Sequence, residues 1–357
     1  MATLNLLRSG ELAGSKRFKL SCGLTQFPSE IFDLADSLEI LDLSNNHLSA
    51  LPDEFERLKH LKIVFFTHND FEEIPEVLSQ CPNLKMVSFK SNQLATVGED
   101  TLPPSIRWLI LTNNQIEKLP ASFGNMSHLQ KLMLAGNKLE SLPEEMASCL
   151  NLELIRLSAN QLQELPPWLF TLPRLSWLAY AGNPFCSTDT TTKPELPNID
   201  WADLTLGEIL GQGASGVIYQ GLWTNQLAQQ EVAIKIFKGE ITSDGLPADE
   251  MVASLAAGCH DNRVNVLGKL TNEPEQQEGL VFSFISPDYK NLGQPPDFDT
   301  CTRDTYSADA SFSLPVIVNL TQGIASAAAH LHSKGIMHGD LYAHNILVNE
   351  TGHSLLG

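Results

Sequence analysis

Between residues 38 and 186 the apolar residues recur on a fixed beat. LEILDLSNNHLSALP begins at Leu38, LKIVFFTHNDFEEIP at Leu61 and LKMVSFKSNQLATV at Leu84. IRWLILTNNQIEKLP follows at Ile106, LQKLMLAGNKLESLP at Leu129, LELIRLSANQLQELP at Leu152 and LSWLAYAGNPF at Leu175. The starts lie 23, 23, 22, 23, 23 and 23 residues apart. FKLSCGLTQFP at Phe18 is a degenerate first copy, with Cys22 where the others have Asn. Each L-x-x-L-x-L predicts a short parallel strand and the turn leading into it. One copy cannot bury its apolar face alone, so the copies must stack.

Each inward Leu contributes roughly 1.5–3 kcal/mol by burial. Asn46, Asn69, Asn92, Asn114, Asn137, Asn160 and Asn183 fall once per turn, where a buried amide can pair backbone groups that the turn leaves open. These positions are structural. Alternating strand residues point to the other face. One column there is Ile40, Ile63, Met86, Trp108, Lys131, Leu154 and Trp177, and the second is Asp42, Phe65, Ser88, Ile110, Met133, Arg156 and Ala179. So much apolar side chain on an open face marks a partner site. Phe65, Met86, Trp108, Ile110, Met133 and Trp177 are its candidate contacts, for another protein or for the second half of this chain. The alternative is partial burial by long neighbours.

The pattern changes after residue 186. CSTDTTTKPELPNID, residues 186 to 200, is polar and Pro-containing and reads as a linker. WADLTLGEILGQGASGVIYQGLW reads as strand, Gly-rich turn, strand, and QEVAIKIFKGE as a third strand. ADEMVASLAAGC reads as a helix, VNVLGKLTNE and GLVFSFIS as strands, and LPVIVNLTQGIASAAAHLHSKG as a longer helix closed by Gly335.

GQGASG, residues 211 to 216, is a G-x-G-x-x-G, a weak signal alone. A dinucleotide fold needs a helix directly after it. Here Val217, Ile218 and Tyr219 are β-formers, which favours a lid whose backbone N–H groups cover nucleotide phosphates. No G-K-[ST] follows, so it is not a Walker A loop. Lys235 ends V-A-I-K on the next strand, placed to reach the α- and β-phosphates. Glu250 is preferred over Asp249 as its acidic partner on the following helix. HGDLYAHN, residues 338 to 345, supplies an Asp and an Asn five apart.

The first half resembles the leucine-rich repeat family, in its intracellular 23-residue class, over residues 17 to 186. Residues 201 to 357 resemble the eukaryotic-type protein kinases, and repeats, linker and kinase in that order are similar to cytosolic leucine-rich repeat protein kinases. The fold class is therefore α/β: a parallel β horseshoe, a linker at 187 to 200, and an α+β kinase-like domain with an incomplete C-terminal lobe. The resemblance implies ATP and Mg²⁺. Leu210, Gly211, Gln212, Gly213, Ala214, Ser215, Gly216, Val217, Ile218, Ala233, Lys235, Ser283 and Ile285 would line the nucleotide, with Phe282 at the back of the pocket. Asp340 would accept the substrate hydroxyl proton, Asn345 would hold Mg²⁺, and His338 would pack the loop.

Three departures follow. Gly339 replaces the Arg that pairs with a phosphorylated activation loop. Tyr342 stands where serine/threonine kinases carry Lys, with His344 as a partial substitute, so serine/threonine preference rests on family frequency. The sequence stops at Gly357, where D-F-G would begin, which suggests a fragment or a natural pseudokinase truncation. Residues 1 to 357 are then expected to transfer no phosphate at a useful rate and to be poorly soluble, with Val316, Ile317, Leu320 and Ile324 losing burial. A scaffold binding partners through the repeats is the competing function.

At 357 residues, 43% hydrophobic and 18% charged, the chain reads as two globular domains. A net charge of −19 argues against nucleic acid. Six scattered cysteines without C-x-x-C read as reduced thiols. The start lacks an apolar signal region, and no uncharged apolar run looks long enough for a bilayer. A cytoplasmic protein without membrane contact is the expectation.

Overall fold

The computed structural model describes residues 2–186, 197–213, 215–224, 228–239, 241, 245–301 and 304–357. The chain divides into two compact units: Met1–Ser187 with Ser243–Gly245, and Thr188–Thr242 with Leu246–Gly357.

The first unit opens with helix α1 (Ala2–Arg8), whose Leu7 is buried in the repeat core. Eight three-residue strands follow: β1 (Arg17–Lys19), β2 (Ile40–Asp42), β3 (Ile63–Phe65), β4 (Met86–Ser88), β5 (Trp108–Ile110), β6 (Lys131–Met133), β7 (Leu154–Arg156) and β8 (Trp177–Ala179). They form one parallel sheet in chain order. Ile40, Ile63, Met86, Trp108, Lys131, Leu154 and Trp177 lie in one register line, and Asp42 through Ala179 in another. Both columns match the sequence pattern. The degenerate copy at Phe18 supplies β1; its exposed Cys22 stands where the other copies have Asn, and the Cys22 backbone N donates to Asn46 Oδ1 at 3.0 Å.

Stacking is cemented by that ladder. The Asn114 amide donates to the carbonyls of Phe89 (2.9 Å) and Leu111 (3.0 Å), while its oxygen accepts from Leu94 N (3.0 Å). Asn137 and Asn160 repeat the arrangement one and two turns on. Each repeat thus closes its own turn and the one before it. Short 3₁₀ turns carry the return path of most repeats. The 22-residue repeat, which lacks L-P, has none among its described residues. All six cysteines are thiols, and burial pushes the Cys81 and Cys149 thiols up to about 11.

The second unit is built on a six-stranded sheet. Its strands are β9 (Asn198–Asp200), β10 (Leu204–Gln212), β11 (Gly216–Thr224), β12 (Gln229–Phe237), β13 (Val266–Thr271) and β14 (Gly279–Ser283), in the order β10-β11-β12-β14-β13-β9. Helix α2 (Pro247–Ala257) sits between β12 and β13 in sequence. A three-stranded sheet of β15 (Lys290–Asn291), β16 (Ile346–Val348) and β17 (Ser354–Leu356) accompanies helix α3 (Leu314–Ser333).

Three expectations need correction. The linker ends earlier than residue 200: Asn198–Asp200 pairs in parallel with β13, and Ile199 is 1% exposed. One apolar residue between polar neighbours carries no readable alternation. Leu320 keeps its burial in a cluster with Ala327, Leu331 and Leu356. Leu314, Ile317 and Val318 are the large apolar residues of α3 that stay exposed. Finally, α3 is 20 residues long with hydropathy 1.2 and no Asp, Glu, Lys or Arg, so by length and composition alone it is long and apolar enough to cross a membrane, contrary to the expectation that no segment would be. Asn319, Gln322 and two histidines interrupt its apolar surface.

Candidate functional site

The Gly-rich turn joins β10 to β11. Gly211 faces Ile218, and Gln212 faces Val217. Gly213 N donates to the Gly216 carbonyl at 2.9 Å. Lys238 closes the turn from β12's end, its backbone N on the Ser215 carbonyl and its Nζ on that of Gly213, both at 3.0 Å. The glycines differ in kind. A Cβ on Gly216 would strike the Ile236 carbonyl oxygen, so packing explains that residue. A Cβ on Gly211 or Gly213 would meet nothing within 4 Å. Packing does not require either of them. Ala214 lies outside the described residues.

Register places the lysine strand directly behind the turn. Ile218 pairs with Lys235, and Gln220 with Ala233. Lys235 Nζ forms an ion pair with the Glu250 carboxylate on α2 and lies 4.9 Å from the centre of the Phe237 ring. The lysine side chain is 14% exposed and the glutamate 42%. Glu250, not Asp249, is therefore the partner. Both acids sit in the first turn of α2, opened by Pro247, where the helix dipole favours negative charge. Asp249 turns inward instead. Burial pushes its carboxyl above the ordinary aspartate value, and its Oδ2 has no hydrogen-bond partner among the described residues.

Phe282 lies opposite Ala233 and Ser283 opposite Val232 on β14. Phe282 packs against Phe237, Met251, Val266 and Leu280, an apolar wall beside the lysine strand. Ser283 N donates to the Asn265 carbonyl at 2.9 Å. Ile285 lies just beyond the strand's end.

The HGDLYAHN loop starts from α3's C-terminus. Gly335 takes φ +71°, and Ile336 N returns to the Leu331 carbonyl at 3.0 Å. His338 donates from Nε2 to the Gly357 carbonyl (2.7 Å) and accepts at Nδ1 from Asp340 N (3.3 Å). Its packing role is thus a hydrogen-bonded one. The Asn345 amide donates to Asp340 Oδ2 (2.8 Å) and to the Asp340 carbonyl (3.0 Å). Gly339, in the position of the family's Arg, has φ +74°, a conformation that favours glycine.

A family model described as protein tyrosine and serine/threonine kinase matches residues 204–356. A leucine rich repeat model matches residues 36–94, 104–162 and 127–185. The chain carries leucine-rich repeats followed by a protein kinase domain. Fibroblast growth factor receptor 1 of Pleurodeles waltl is 26% identical over 196 residues, 50% of this chain and 23% of that protein. Cyclin-dependent kinase 11.1 of Caenorhabditis elegans is 30% identical over 144 residues, 40% of this chain and 18% of that protein. The probable serine/threonine-protein kinase gdt4 of Dictyostelium discoideum is 27% identical over 152 residues, 42% of this chain and 8% of that protein. The chain thus spans less than a quarter of the length of each.

Within the kinase domain, contacts that the motifs did not reveal join the end of α2 and the segment after it to α3 and β17. The segment after α2 bonds directly to β17. Val264 N donates to the Leu356 carbonyl (3.0 Å), Leu356 N to that of Asn262 (2.9 Å), and Asn262 Nδ2 to that of Ser354 (2.9 Å). His330 on α3 donates from Nε2 to the Ala257 carbonyl at the end of α2, at 2.7 Å. Asp304 Oδ1 accepts from Ala343 N at 2.8 Å, fixing the loop between Asp340 and Asn345. HDNRVN after the helix is the one sequence signal for such a junction. Asp304 has none. His344 Nδ1 contacts the Gly293 carbonyl at 3.4 Å, and its ring centre lies 6.0 Å from that of Tyr342.

On the repeats, Phe65, Trp108, Ile110, Met133 and Trp177 are half-buried. Met86 is 8% exposed and Leu154 fully buried, so the column is not the open apolar face that the sequence suggested. Lys131 explains part of this. Its Nζ stands 4.1 Å from the Trp108 ring centre and 5.7 Å from that of Trp177, with Arg156 5.9 Å from the latter.

Proposed function

We propose that the second unit binds ATP and transfers its terminal phosphate to a protein hydroxyl, with serine or threonine as acceptor, while the repeats hold a protein partner. The observation that carries this is the Lys235–Glu250 pair. It sits in register behind a turn whose Gly211 and Gly213 open onto free space. Backbone N–H groups there can approach phosphates, and Lys235 supplies the cation that meets them. Leu210, Gln212, Ser215, Val217, Ile218 and Ala233 lie around that turn, and Ser283 and Ile285 give backbone edges for the base.

Asp340 is the group to accept the hydroxyl proton, held in orientation by Asn345. Both side-chain donations from Asn345 use Nδ2, so Oδ1 is the atom that suits a hard cation. Mg²⁺ takes few protein ligands beside phosphate and water, and Asn345 fits that donor set. Bound there, it would neutralise phosphate charge. With Tyr342 where a phosphate-stabilising Lys would stand, residues 1–357 are expected to bind nucleotide and to transfer phosphate poorly. Gly339 and Tyr342 favour the second reading, a kinase-like scaffold. A cytoplasmic location belongs to this proposal.

Calorimetric titration with ATP and Mg²⁺ tests it. Wild type should bind saturably, and Lys235→Ala should weaken binding at least about tenfold. Equal affinity of the two proteins would refute nucleotide binding at this site. Nucleotide binding with no Asp340-dependent transfer would favour the scaffold.

A further inference from the structure

The turn that carries Asn345 is held from outside itself. Ala343 opens the 3₁₀ turn Ala343–Asn345, and no side-chain hydrogen bond from Tyr342 caps it. The Ala343 N–H, on a residue 3% exposed, donates instead to Asp304 Oδ1 at 2.8 Å. The Ala343 carbonyl accepts from Gly293 N at 3.3 Å, and the His344 carbonyl from Asn291 Nδ2 at 2.5 Å. Just past the turn, the Ile346 carbonyl accepts from Leu292 N at 2.8 Å. The segment before α3 thus grips the turn by its backbone.

The two arms of that grip are themselves joined. Gln294 N donates to the Thr305 carbonyl at 2.8 Å, which ties the chain around Asp304 to the chain around Gly293. A Cβ on Gly293 would stand 2.8 Å from that of Ala343 and 3.3 Å from the Thr305 carbonyl oxygen, so this close approach needs glycine. At the far end of the turn, the Asn345 amide holds both the carboxylate and the carbonyl of Asp340. A carboxylate that accepts an N–H makes a bond roughly twice as strong as a neutral pair. Groups that act on a ligand must be held to within about 0.5 Å, which is what such a bond can supply.

We propose that Asp304 is a positioning residue of the phosphotransfer site. Its carboxylate oxygen fixes the Ala343 N–H, the N–H fixes the turn, and the turn sets where the Asn345 amide stands against Asp340 and toward Mg²⁺. The acceptor oxygen is what counts, so an amide in its place serves nearly as well. The proposal rests on the reading of Asp340 and Asn345 as base and metal ligand, and adds to it a residue that no motif announces.

Two measurements on the whole chain decide it. The first needs no nucleotide: hydrogen exchange of the Asn345 side-chain NH₂, read by NMR. Asp304→Ala should speed that exchange at least about tenfold, and Asp304→Asn by no more than about threefold. Ala343→Pro removes the donor instead of the acceptor. Proline suits the first position of such a turn when the residue before it is extended, as Tyr342 is. This variant should therefore fold and should match Asp304→Ala. The second measurement is ATP affinity with and without Mg²⁺. Asp304→Ala should cut the gain from Mg²⁺ at least about threefold. In an Asn345→Ala background it should cut it no further, because Asp304 acts through Asn345. Unchanged Asn345 exchange in Asp304→Ala and Ala343→Pro would overturn the proposal. So would faster exchange with the Mg²⁺ gain intact, which would leave Asp304 a purely structural residue. Asp304→Asn as damaging as Asp304→Ala would overturn the role of the acceptor oxygen. A wild-type protein whose ATP affinity gains nothing from Mg²⁺ would refute the kinase reading itself, and the exchange rates would still decide whether Asp304 holds Asn345.

Discussion

Asn345 holds Asp340 twice, through its carboxylate at 2.8 Å and its carbonyl at 3.0 Å, with a single amide nitrogen. The proposed base and the proposed metal ligand are thus one mechanical unit. Asn345→Ala should therefore do two things at once. It should leave Asp340 without this donor and cost about 1–3 kcal/mol, read by urea denaturation. It should also reduce the Mg²⁺ dependence of ATP affinity. Loss of stability with the Mg²⁺ dependence intact would remove the metal role and keep the structural one.

The glycines of the turn separate packing from ligand approach. Gly216→Ala drives a methyl into the Ile236 carbonyl and should destabilise the second unit by about 1–3 kcal/mol. Gly213→Ala meets nothing, so its melting temperature should match wild type while ATP affinity falls. Unchanged ATP affinity in Gly213→Ala would show that phosphates do not approach that residue.

Asp249 and Glu250 are adjacent, yet only one serves Lys235. Glu250→Gln should weaken ATP binding, and Asp249→Asn should not. Burial raises the Asp249 carboxyl above its ordinary 3.8. A raised carboxyl leaves stability intact below that ordinary value and lowers it as pH rises through the folded-state value. Asp249→Asn should accordingly stabilise the protein at pH 7 and bring no gain at pH 3. Denaturation curves at the two pH values check the sign.

Glu39 behaves oppositely. Hydrogen bonds from Lys62 and then Lys16 hold its carboxyl down to about 2, from 4.5. Its contribution is present above 4.5 and disappears as pH falls toward 2. Glu39→Gln should flatten the acid limb of the repeat unit's stability curve in that window. A mutant curve parallel to wild type would show that solvent screens the pair completely.

Much of this was legible in the sequence because it repeats or is local. The register of Ile40 through Trp177 followed from spacing alone, since a stacked array translates period into neighbours. The turn, Lys235 and the Asp340 loop could be placed because each motif carries its own strand or helix grammar. Contacts between distant segments were not legible. Nothing near Asp304 announces that it holds Ala343, 39 residues away. Ile199 gave no alternation to read, and the burial of Met86 and Leu154 depends on side chains from other rungs. The α3 residues expected to lose burial divided for the same reason: Leu320 finds the β17 side, and Ile317 does not.

The central claim is that the Gly turn, Lys235 and the Asp340 loop serve one nucleotide. An acyl phosphate of ATP, which acylates the amine nearest the bound phosphates, tests this most directly when labelled peptides are read by mass spectrometry. The account predicts acylation at Lys235, blocked by excess ATP and diminished by Gly213→Ala and Asn345→Ala. Acylation spread over surface lysines, with Lys235 unmodified and no effect of ATP, would contradict it.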